Sequence, residues 1–300
     1  MVDRPDRCRV RASERNDPML GTAFPASRVL LVEQPGGWGP AGLADSRFDR
    51  KVAGQLIGGL GRRGVRVLAV RRPGRPNRSR TRCWLFADCR PGRGRLVSGS
   101  FGEDRELLDI DPDRPADGPG AAEQPAPVYA VCTHGIHDMC CAIEGRPVAA
   151  ALARLVPGRV WECSHVGGDR FAANVLVLPT GQLYGRVTDA AELARAGEDG
   201  RVLPELLRGR VGLPPPVQAA LAHAQRELGL TGPDELRVLG SQPVDAEPGQ
   251  VLLRLAGPAG ELTVAVQRVT GQPALLTCRA SDRRLPLSYR PLWLKPAPAS

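Results

Sequence analysis

A short central stretch of this sequence concentrates the residue types that bind metals. Between Cys132 and Asp169 lie four of the eight cysteines and three of the four histidines of the 300-residue chain. They form two segments, Cys-Thr-His-Gly-Ile-His-Asp-Met-Cys-Cys at 132–141 and Cys-Ser-His-Val-Gly-Gly-Asp-Arg at 163–170. Cysteine thiolates and histidine nitrogens are the ligands of zinc and of iron–sulfur clusters. The pattern therefore indicates a metal or redox site.

The spacing within the two segments favours a cluster over a zinc knuckle. Eight residues separate Cys132 from Cys141, whereas zinc knuckles use roughly two to four. A loop of that length can wrap one side of a cluster. In the second segment, Gly167 and Gly168 lack Cβ atoms, so their backbone can approach closely and donate N–H groups to sulfur.

The remaining cysteines and histidines have simpler interpretations. A single cysteine is more often a small buried apolar residue than a ligand, and this interpretation is applied to Cys8, Cys83, Cys89 and Cys278. From the residues alone, His134 and His137 are loop residues bonded to backbone or exposed to solvent, and His223 lies on a helix surface. Adjacent Cys140 and Cys141 cannot easily share one mononuclear geometry, so one of them is expected to pack in the core.

Alternating strand and helix patterns must position these ligands. Strand, helix, strand, hairpin and helix follow one another twice along the chain, and this order is the outline of a thioredoxin-like fold. We therefore predict an α/β protein with two thioredoxin-like lobes in tandem and a small C-terminal α+β region. The expected boundaries are a mobile tail at 1–27, a first lobe at 28–110, a linker at 111–127, a second lobe bearing the site at 128–200, and the C-terminal region at 201–300.

The positive charge of the chain is uneven. Residues 1–120 carry 23 Lys and Arg against 15 Asp and Glu, and the remainder carries 18 against 17. Six arginines fall within Arg71–Arg82. A solvated loop is the simpler interpretation of this run, and docking of an acidic redox partner is the functional alternative. No interleaved aromatics or known motif accompany the arginines, so the run does not favour nucleic-acid binding.

The compartment is predicted from what the sequence lacks. No apolar run approaches the ~20 residues that span a bilayer, and no hydrophobic signal core follows the charged N-terminus. We expect a cytoplasmic protein without membrane contact. Thiols stay reduced there, so clustered cysteines favour metal or redox chemistry over structural disulfides.

Several motifs resemble the sucrase/ferredoxin-like proteins, relatives of thioredoxin-like ferredoxins. They cover roughly residues 28–220 and are specific enough to make chance a poor explanation. The motifs are Cys132-Thr-His-Gly, Asp138, Cys141-Ala, Gly145-Arg-Pro147, Cys163-Ser-His-Val-Gly-Gly-Asp-Arg-Phe-Ala-Ala-Asn-Val175, Tyr184-Gly-Arg-Val187 and Glu33-Gln-Pro-Gly-Gly-Trp-Gly39.

The resemblance implies a 2Fe–2S cluster in an electron-transfer protein. Two cysteines hold one iron in that family, and two histidines in a His-x-Gly-Gly-His motif hold the other. Carried over, the ligands are Cys132 and Cys141 for the first iron and His165 for the second. Asp169 stands where the second histidine is expected. Asp169 itself, Cys163 or Cys140 could supply the fourth ligand, or no stable cluster forms.

Neighbouring residues complete this expectation. Arg170 could offset the cluster charge, and Trp161 and Phe171 could shield the cluster from water. A structural zinc site of the Cys₃His type, formed by Cys132, Cys141, Cys163 and His165, is the first alternative. A metal-free thiol redox protein using Cys140 and Cys141 is the second. Whether the chain is itself an oxidoreductase stays open, and no hydrolase signature supports the word sucrase.

Overall fold

A computed structural model describes residues 7–74 and 81–296 of the chain as a mixed α/β protein with two sheets, which confirms the predicted class. In chain order the first sheet contains β1 (Arg28–Glu33), β2 (Val65–Arg71), β3 (Arg82–Asp88), β4 (Arg95–Phe101), β5 (Ala122–Glu123), β6 (Val128–Cys132), β7 (Val160–Cys163), β8 (Val175–Leu178), β9 (Gln182–Tyr184) and β10 (Leu207–Arg210). The second contains β11 (Arg237–Pro243), β12 (Gln250–Gly257), β13 (Gly260–Thr270) and β14 (Leu287–Pro296). The helices are α1 (Cys8–Glu14), α2 (Arg50–Arg62), α3 (Met139–Leu155), α4 (Ala190–Glu198) and α5 (Pro215–Leu228).

Both halves of the larger sheet repeat one pattern. Its strand order is β10-β9-β8-β6-β7-β2-β1-β3-β4-β5. In each half two parallel strands, β1 with β2 and β6 with β7, are followed by a hairpin that adds antiparallel to the first strand. The halves join where β2 runs antiparallel to β7, through the pairs Val70–Cys163 and Arg71–Glu162. The carboxyl ends of β6 and β7 lie beside this junction.

Helices pack on one face of this sheet, and the side chains on the other face form one apolar core. α3 and α4 pack on the second half around Tyr129 and Val131, and α2 packs on the first half around Leu30 and Val32. The opposite face forms one core shared by both halves, with Leu31, Ala130 and Trp161 among its buried residues. Successive side chains along each strand point to opposite faces, so neighbouring residues belong to different cores.

Carboxylate caps fix where the principal helices begin. Asp49 accepts hydrogen bonds from the backbone of α2, and Asp189 does the same for α4. Asp138 caps α3, so the helix begins at Met139, eight residues before Pro147, where apolar residues at helical spacing first indicate a helix in the sequence. Cys140 and Cys141 consequently lie in the first turn of a helix rather than in a loop. Within the described ranges, no helix combines the length and apolar character needed to cross a bilayer.

The C-terminal region consists of α5 packed on the second sheet. Val217, Ala220 and Ala224 contact buried residues of β12 and β13. The alternating pattern at 274–279 favours a strand in the sequence, but that expectation is wrong, because those residues belong to the irregular connection between β13 and β14. β14 has 10 residues and carries Pro291, a residue that argues against strand formation in the sequence.

Two segments expected to lack structure pack against the rest of the fold. α1 buries Cys8 and Ala12, and Arg7 pairs with Glu144 at 2.8 Å. Residues 7–27 therefore differ from the predicted mobile tail, because seven helical residues are too few to show periodicity. The linker at 111–127 forms the edge strand β5 against β4, and its Pro119 carbonyl accepts from Trp84 Nε1 at 3.0 Å.

Gly145 provides a test of how closely α3 approaches the end of β6. A Cβ at Gly145 would overlap the carbonyl oxygen of Cys132, whereas a Cβ at Gly59 on α2 would meet nothing within 4 Å. We expect Gly145→Ala to lower the free energy of unfolding by about 1–3 kcal/mol through overpacking. Gly59→Ala should raise it by about 0.5–1 kcal/mol, because alanine favours the helix. Urea denaturation of both variants measures the difference, and equal midpoints would contradict this packing.

Candidate metal centre

The first ligand pair comes from the end of β6 and the start of α3. Cys132 is the last residue of β6, and Cys141 lies in the first turn of α3. The Asp138 carboxylate accepts from the backbone of Cys140 at 2.9 Å and so fixes where the helix begins. Both Cys132 and Cys141 are completely buried. Two thiols are thus held side by side without solvent contact.

The second pair comes from the loop after β7. Gly168 has φ near +70°, and a Cβ there would lie 2.5 Å from the Arg208 guanidinium. Only glycine fits both the left-handed backbone and this contact. The turn brings His165 Nδ1 to 2.8 Å from Asp169 Oδ1, and the same oxygen lies 3.1 Å from Cys141 Sγ.

These residues form a group that we call the primary centre: Cys132, Cys141, His165 and Asp169. The donor atoms of Cys132, Cys141 and His165 all lie within 4.8 Å of one another. His137, His165 and Asp169 form an overlapping group with the same closeness. The structure therefore brings together the three residues carried over from the family and Asp169, which stands at the fourth position, and it adds His137.

The other predicted site residues lie elsewhere. Cys163 is buried in the core of the sheet, and its sulfur does not join the described groups. Cys140 faces away from the primary centre, toward Cys8 and Cys278. Trp161 lies in the same core as Cys163, with the Arg72 guanidinium 3.5 Å above its ring. Arg170 pairs with Asp17 at 3.3 Å and stacks on Phe171.

The ionisable groups of the primary centre shift one another's pKa values. A shared hydrogen bond with Cys141, together with His165, holds the pKa of Cys132 well below its usual value. The pKa of Cys141 is raised, because the shared hydrogen bond leaves the proton on it. Burial alone would lower the pKa of His165, but contacts with Asp169 and Cys132 raise it to about 9. The contact with His165 also lowers the pKa of Asp169 against the effect of burial.

One buried nitrogen in this group lacks a satisfactory partner. His165 Nδ1 makes no well-directed hydrogen bond, although the Asp169 oxygen is only 2.8 Å away. Buried polar atoms are normally satisfied. The donor set and this orphaned nitrogen both fit a bound metal.

The comparisons with known proteins agree with the motifs. The model of the sucrase/ferredoxin-like family matches residues 21–209. The chain belongs to the sucrase/ferredoxin-like family. The resemblance seen in the sequence is thereby confirmed, and the matched range contains the whole primary centre. No curated protein and no solved structure matches the chain.

His134 connects the upstream motif at 33–39 to the primary centre of this sucrase/ferredoxin-like protein. Its Nδ1 accepts the backbone N–H of His165 at 3.2 Å, so its Nε2 carries the proton and donates to the Gly39 carbonyl at 2.9 Å. Trp38 packs edge-on against the same ring. His134 is therefore bonded to backbone, as the sequence analysis expects, and it holds the His165 loop next to the first half of the sheet.

His137, which the sequence pattern predicts to be an exposed loop residue, has a place at the site. Its ring stacks on that of His165 with centroids 3.7 Å apart, and its Nε2 lies 4.0 Å from Asp169 Oδ2. About a third of the His137 side chain and a fifth of the His165 side chain are exposed, at 35% and 22%. A groove lined by Pro40, Leu43 and Arg66 opens onto these rings.

Arg208 is the functional residue that no sequence pattern reveals. It lies in β10, only 1% exposed, and donates to the Gly167 carbonyl and to Asn174 Oδ1, each at 2.8 Å. Among the described residues no carboxylate forms an ion pair with it. Burial lowers its pKa to about 9, and the charges of Asp169, Cys132 and Cys141 act in the opposite direction. This member of the sucrase/ferredoxin-like family therefore keeps a cation next to the primary centre.

Proposed function

We propose that this protein transfers electrons through a 2Fe–2S cluster held in the primary centre. The observation that carries the proposal is the convergence of two buried thiols with His165 and Asp169, within a member of the sucrase/ferredoxin-like family. Thiolates hold such clusters, and replacing two of them by imidazoles raises the reduction potential. When bound, the cluster would accept and release one electron at a time.

The residues of the primary centre differ in burial, and this difference suggests which iron each of them would hold. Cys132 and Cys141 would hold the inner iron, where no water reaches. His165 and Asp169 would hold the outer iron, with His137 next to them. The exposed edges of His165 and His137 give an electron, or a proton, a short route to the groove. Arg208 offsets negative charge from below.

The fold supports the further proposal that both halves of the large sheet are thioredoxin-like lobes. Each half has a parallel strand pair bridged by a helix, and then a hairpin beside the first strand of the pair. The first half contributes Gly39 and Arg66, which hold His134 and the His165 carbonyl. In this proposal the first lobe serves as a clamp for the ligand loop of the second.

An acidic redox partner is the proposed source or destination of electrons. Part of the Arg71–Arg82 run, residues 75–80, lies outside the described residues. Of the rest, Arg71 pairs with Glu162 and stacks on Trp38, and Arg72 stacks on Trp161. These arginines support the junction of the two halves, and the excess positive charge of residues 1–120 would steer an acidic partner.

A mononuclear zinc centre is the second candidate, and one observation favours it. Donor atoms within 4.8 Å of one another suit the coordination sphere of one ion, whereas two irons need more room between the cysteine and histidine sides. Cys163 lies outside the group, so the ligands would be Cys132, Cys141, His165 and Asp169, rather than the predicted Cys₃His set. A vicinal Cys140–Cys141 thiol pair is not favoured, because the two sulfurs belong to different clusters.

Anaerobic purification with a visible spectrum and metal analysis tests the proposal. We expect a red-brown protein with two irons and two sulfides per chain, since two is the number in this cluster type. A colourless protein with zinc at the primary centre would contradict the 2Fe–2S proposal and support the mononuclear zinc centre. A colourless protein without metal there, even after anaerobic reconstitution, would overturn both.

Substituting the unusual fourth residue tests its role. We expect Asp169→His to raise the midpoint potential by on the order of 100 mV, because a neutral imidazole replaces a carboxylate charge. Redox titration followed by visible absorption measures the change, and His137→Ala serves as the neighbouring comparison. An unchanged potential and spectrum in Asp169→His, with a change in His137→Ala, would assign the fourth position to His137 instead.

A further inference from the structure

A second group of ligand-type side chains lies on the opposite side of the first turn of α3. It consists of Cys8, Asp138, Cys140 and Cys278, and we call it the second centre. The residues come from the first helix, the start of α3 and the connection between β13 and β14. Chain separations of 130 residues or more lie between Cys8, Asp138 and Cys278. The sequence interpretation of Cys8 and Cys278 as isolated apolar residues does not predict this meeting.

The geometry of the second centre is that of a coordination sphere. Its four donor atoms lie within 4.8 Å of one another, and Cys140 Sγ is 3.4 Å from Cys278 Sγ. Cys8 Sγ is 3.6 Å from Asp138 Oδ2. Ligand sulfurs on one tetrahedral zinc are about 3.8 Å apart, as follows from a Zn–S length of about 2.3 Å. The observed separations are close to this value.

Hydrogen bonds position the ligand atoms of the second centre and still leave them lone pairs with which to bind a cation. The backbone N–H of Cys8 donates to Cys278 Sγ at 3.3 Å. The two oxygens of Asp138 each accept one backbone N–H, from Cys140 and from Cys278. Each carboxylate oxygen has a further lone pair, so Asp138 can cap α3 and still bind a cation. Such supporting bonds are typical of metal ligands.

Few apolar side chains pack around the second centre. Its buried members are Cys8, Cys140 and Ala172, with Cys278 partly buried beside them. It contains no aliphatic side chain larger than alanine. Yet this cluster fixes α1, a helix of seven residues, and the irregular stretch 271–286 onto α3. Short helices and long irregular connections gain little stability of their own.

We propose that the second centre is a structural zinc site, with Cys8, Cys140 and Cys278 as thiolate ligands and Asp138 as the fourth ligand. Zinc binding would displace the three thiol protons and leave every oxidation state unchanged. Three thiolates and a carboxylate around Zn²⁺ carry a net charge of about −2, and Arg7, Arg9 and Arg11 flank Cys8 in the sequence. The ion would tie the N-terminal segment and the C-terminal region to the turn that also carries Cys141.

Zinc analysis in a chain without the primary centre tests this site directly. In the full-length Cys132→Ser/Cys141→Ser variant we expect one zinc per chain, and cobalt substitution should give the bands of tetrahedral thiolate-bound Co²⁺. Adding Cys278→Ser should weaken Zn²⁺ binding roughly 100-fold, because one of four ligands is lost. Cys83→Ser is the matched control, since Cys83 lies outside both centres, and it should leave the zinc in place.

Limited proteolysis of the unmodified chain gives a second readout that does not depend on a substitution. Arg279 follows Cys278 and is exposed, so removing zinc with a chelator should speed tryptic cleavage there, and added zinc should reverse the change. Zinc content that is unaffected by both Cys278→Ser and Cys8→Ser would overturn the proposal. So would a Cys140–Cys278 disulfide in freshly purified protein. Loss of iron from the primary centre alone would not bear on it.

Discussion

Replacing Cys132 with Ser is expected to abolish cofactor binding at the primary centre, whereas replacing Cys163 should leave it intact. Both cysteines end neighbouring parallel strands and face each other in register. Only the Cys132 sulfur lies within 4.8 Å of the donors of Cys141 and His165. We expect the iron bound by Cys132→Ser to fall by roughly tenfold or more, because losing one ligand costs at least as much as losing its supporting bonds.

The two variants can be compared directly, because Cys132→Ser and Cys163→Ser make the same chemical change. Cys132 and Cys163 are both completely buried, so exchanging sulfur for a hydroxyl should have a similar cost in packing. Iron and sulfide analysis after anaerobic reconstitution measures occupancy, and circular dichroism reports folding. If Cys163→Ser lost the cofactor while Cys132→Ser kept it, Cys132 could not be a ligand of the inner iron.

The sequence could indicate which side chains meet at the primary centre because they lie in two contiguous motifs. Cys132 and Cys141 are nine positions apart in the chain, and His165 and Asp169 are four apart. Local spacing therefore carries the information that places each pair. What local spacing cannot show is which way a side chain faces. Cys140 and Cys141 look equivalent in the sequence, and helix geometry turns their sulfurs toward different clusters.

Residues that reach the site from distant segments escape prediction for the same reason. Arg208 follows a leucine in a short strand, and nothing in that pattern separates it from an exposed arginine. Cys8 and Cys278 each stand alone in the sequence and meet only through tertiary packing. The single sheet that joins the two halves is also invisible to periodicity, since only two residue pairs link β2 to β7.

Arg208 has the largest expected influence on the cofactor apart from the ligands themselves. Burying an arginine without a carboxylate is costly, so a compensating negative charge nearby is expected. The ligand set supplies it, because Asp169, Cys132 and Cys141 all act on this guanidinium. We expect Arg208→Met to lower the midpoint potential of the bound cluster by about 50 mV, because removing a nearby cation destabilises the more negative reduced state by on the order of 1 kcal/mol.

Arg208→Lys separates the charge of Arg208 from its role in holding the loop. Lysine keeps a positive charge but cannot reproduce the four contacts that the guanidinium makes to Gly167, Asn174 and both oxygens of Thr22. Both variants should therefore unfold more easily, by about 2–4 kcal/mol, since buried acceptors lose their donors. Only Arg208→Met should lower the potential. An equal fall in both would mean that the hydrogen bonds to the His165–Asp169 loop, and not the buried charge, set the potential of this site.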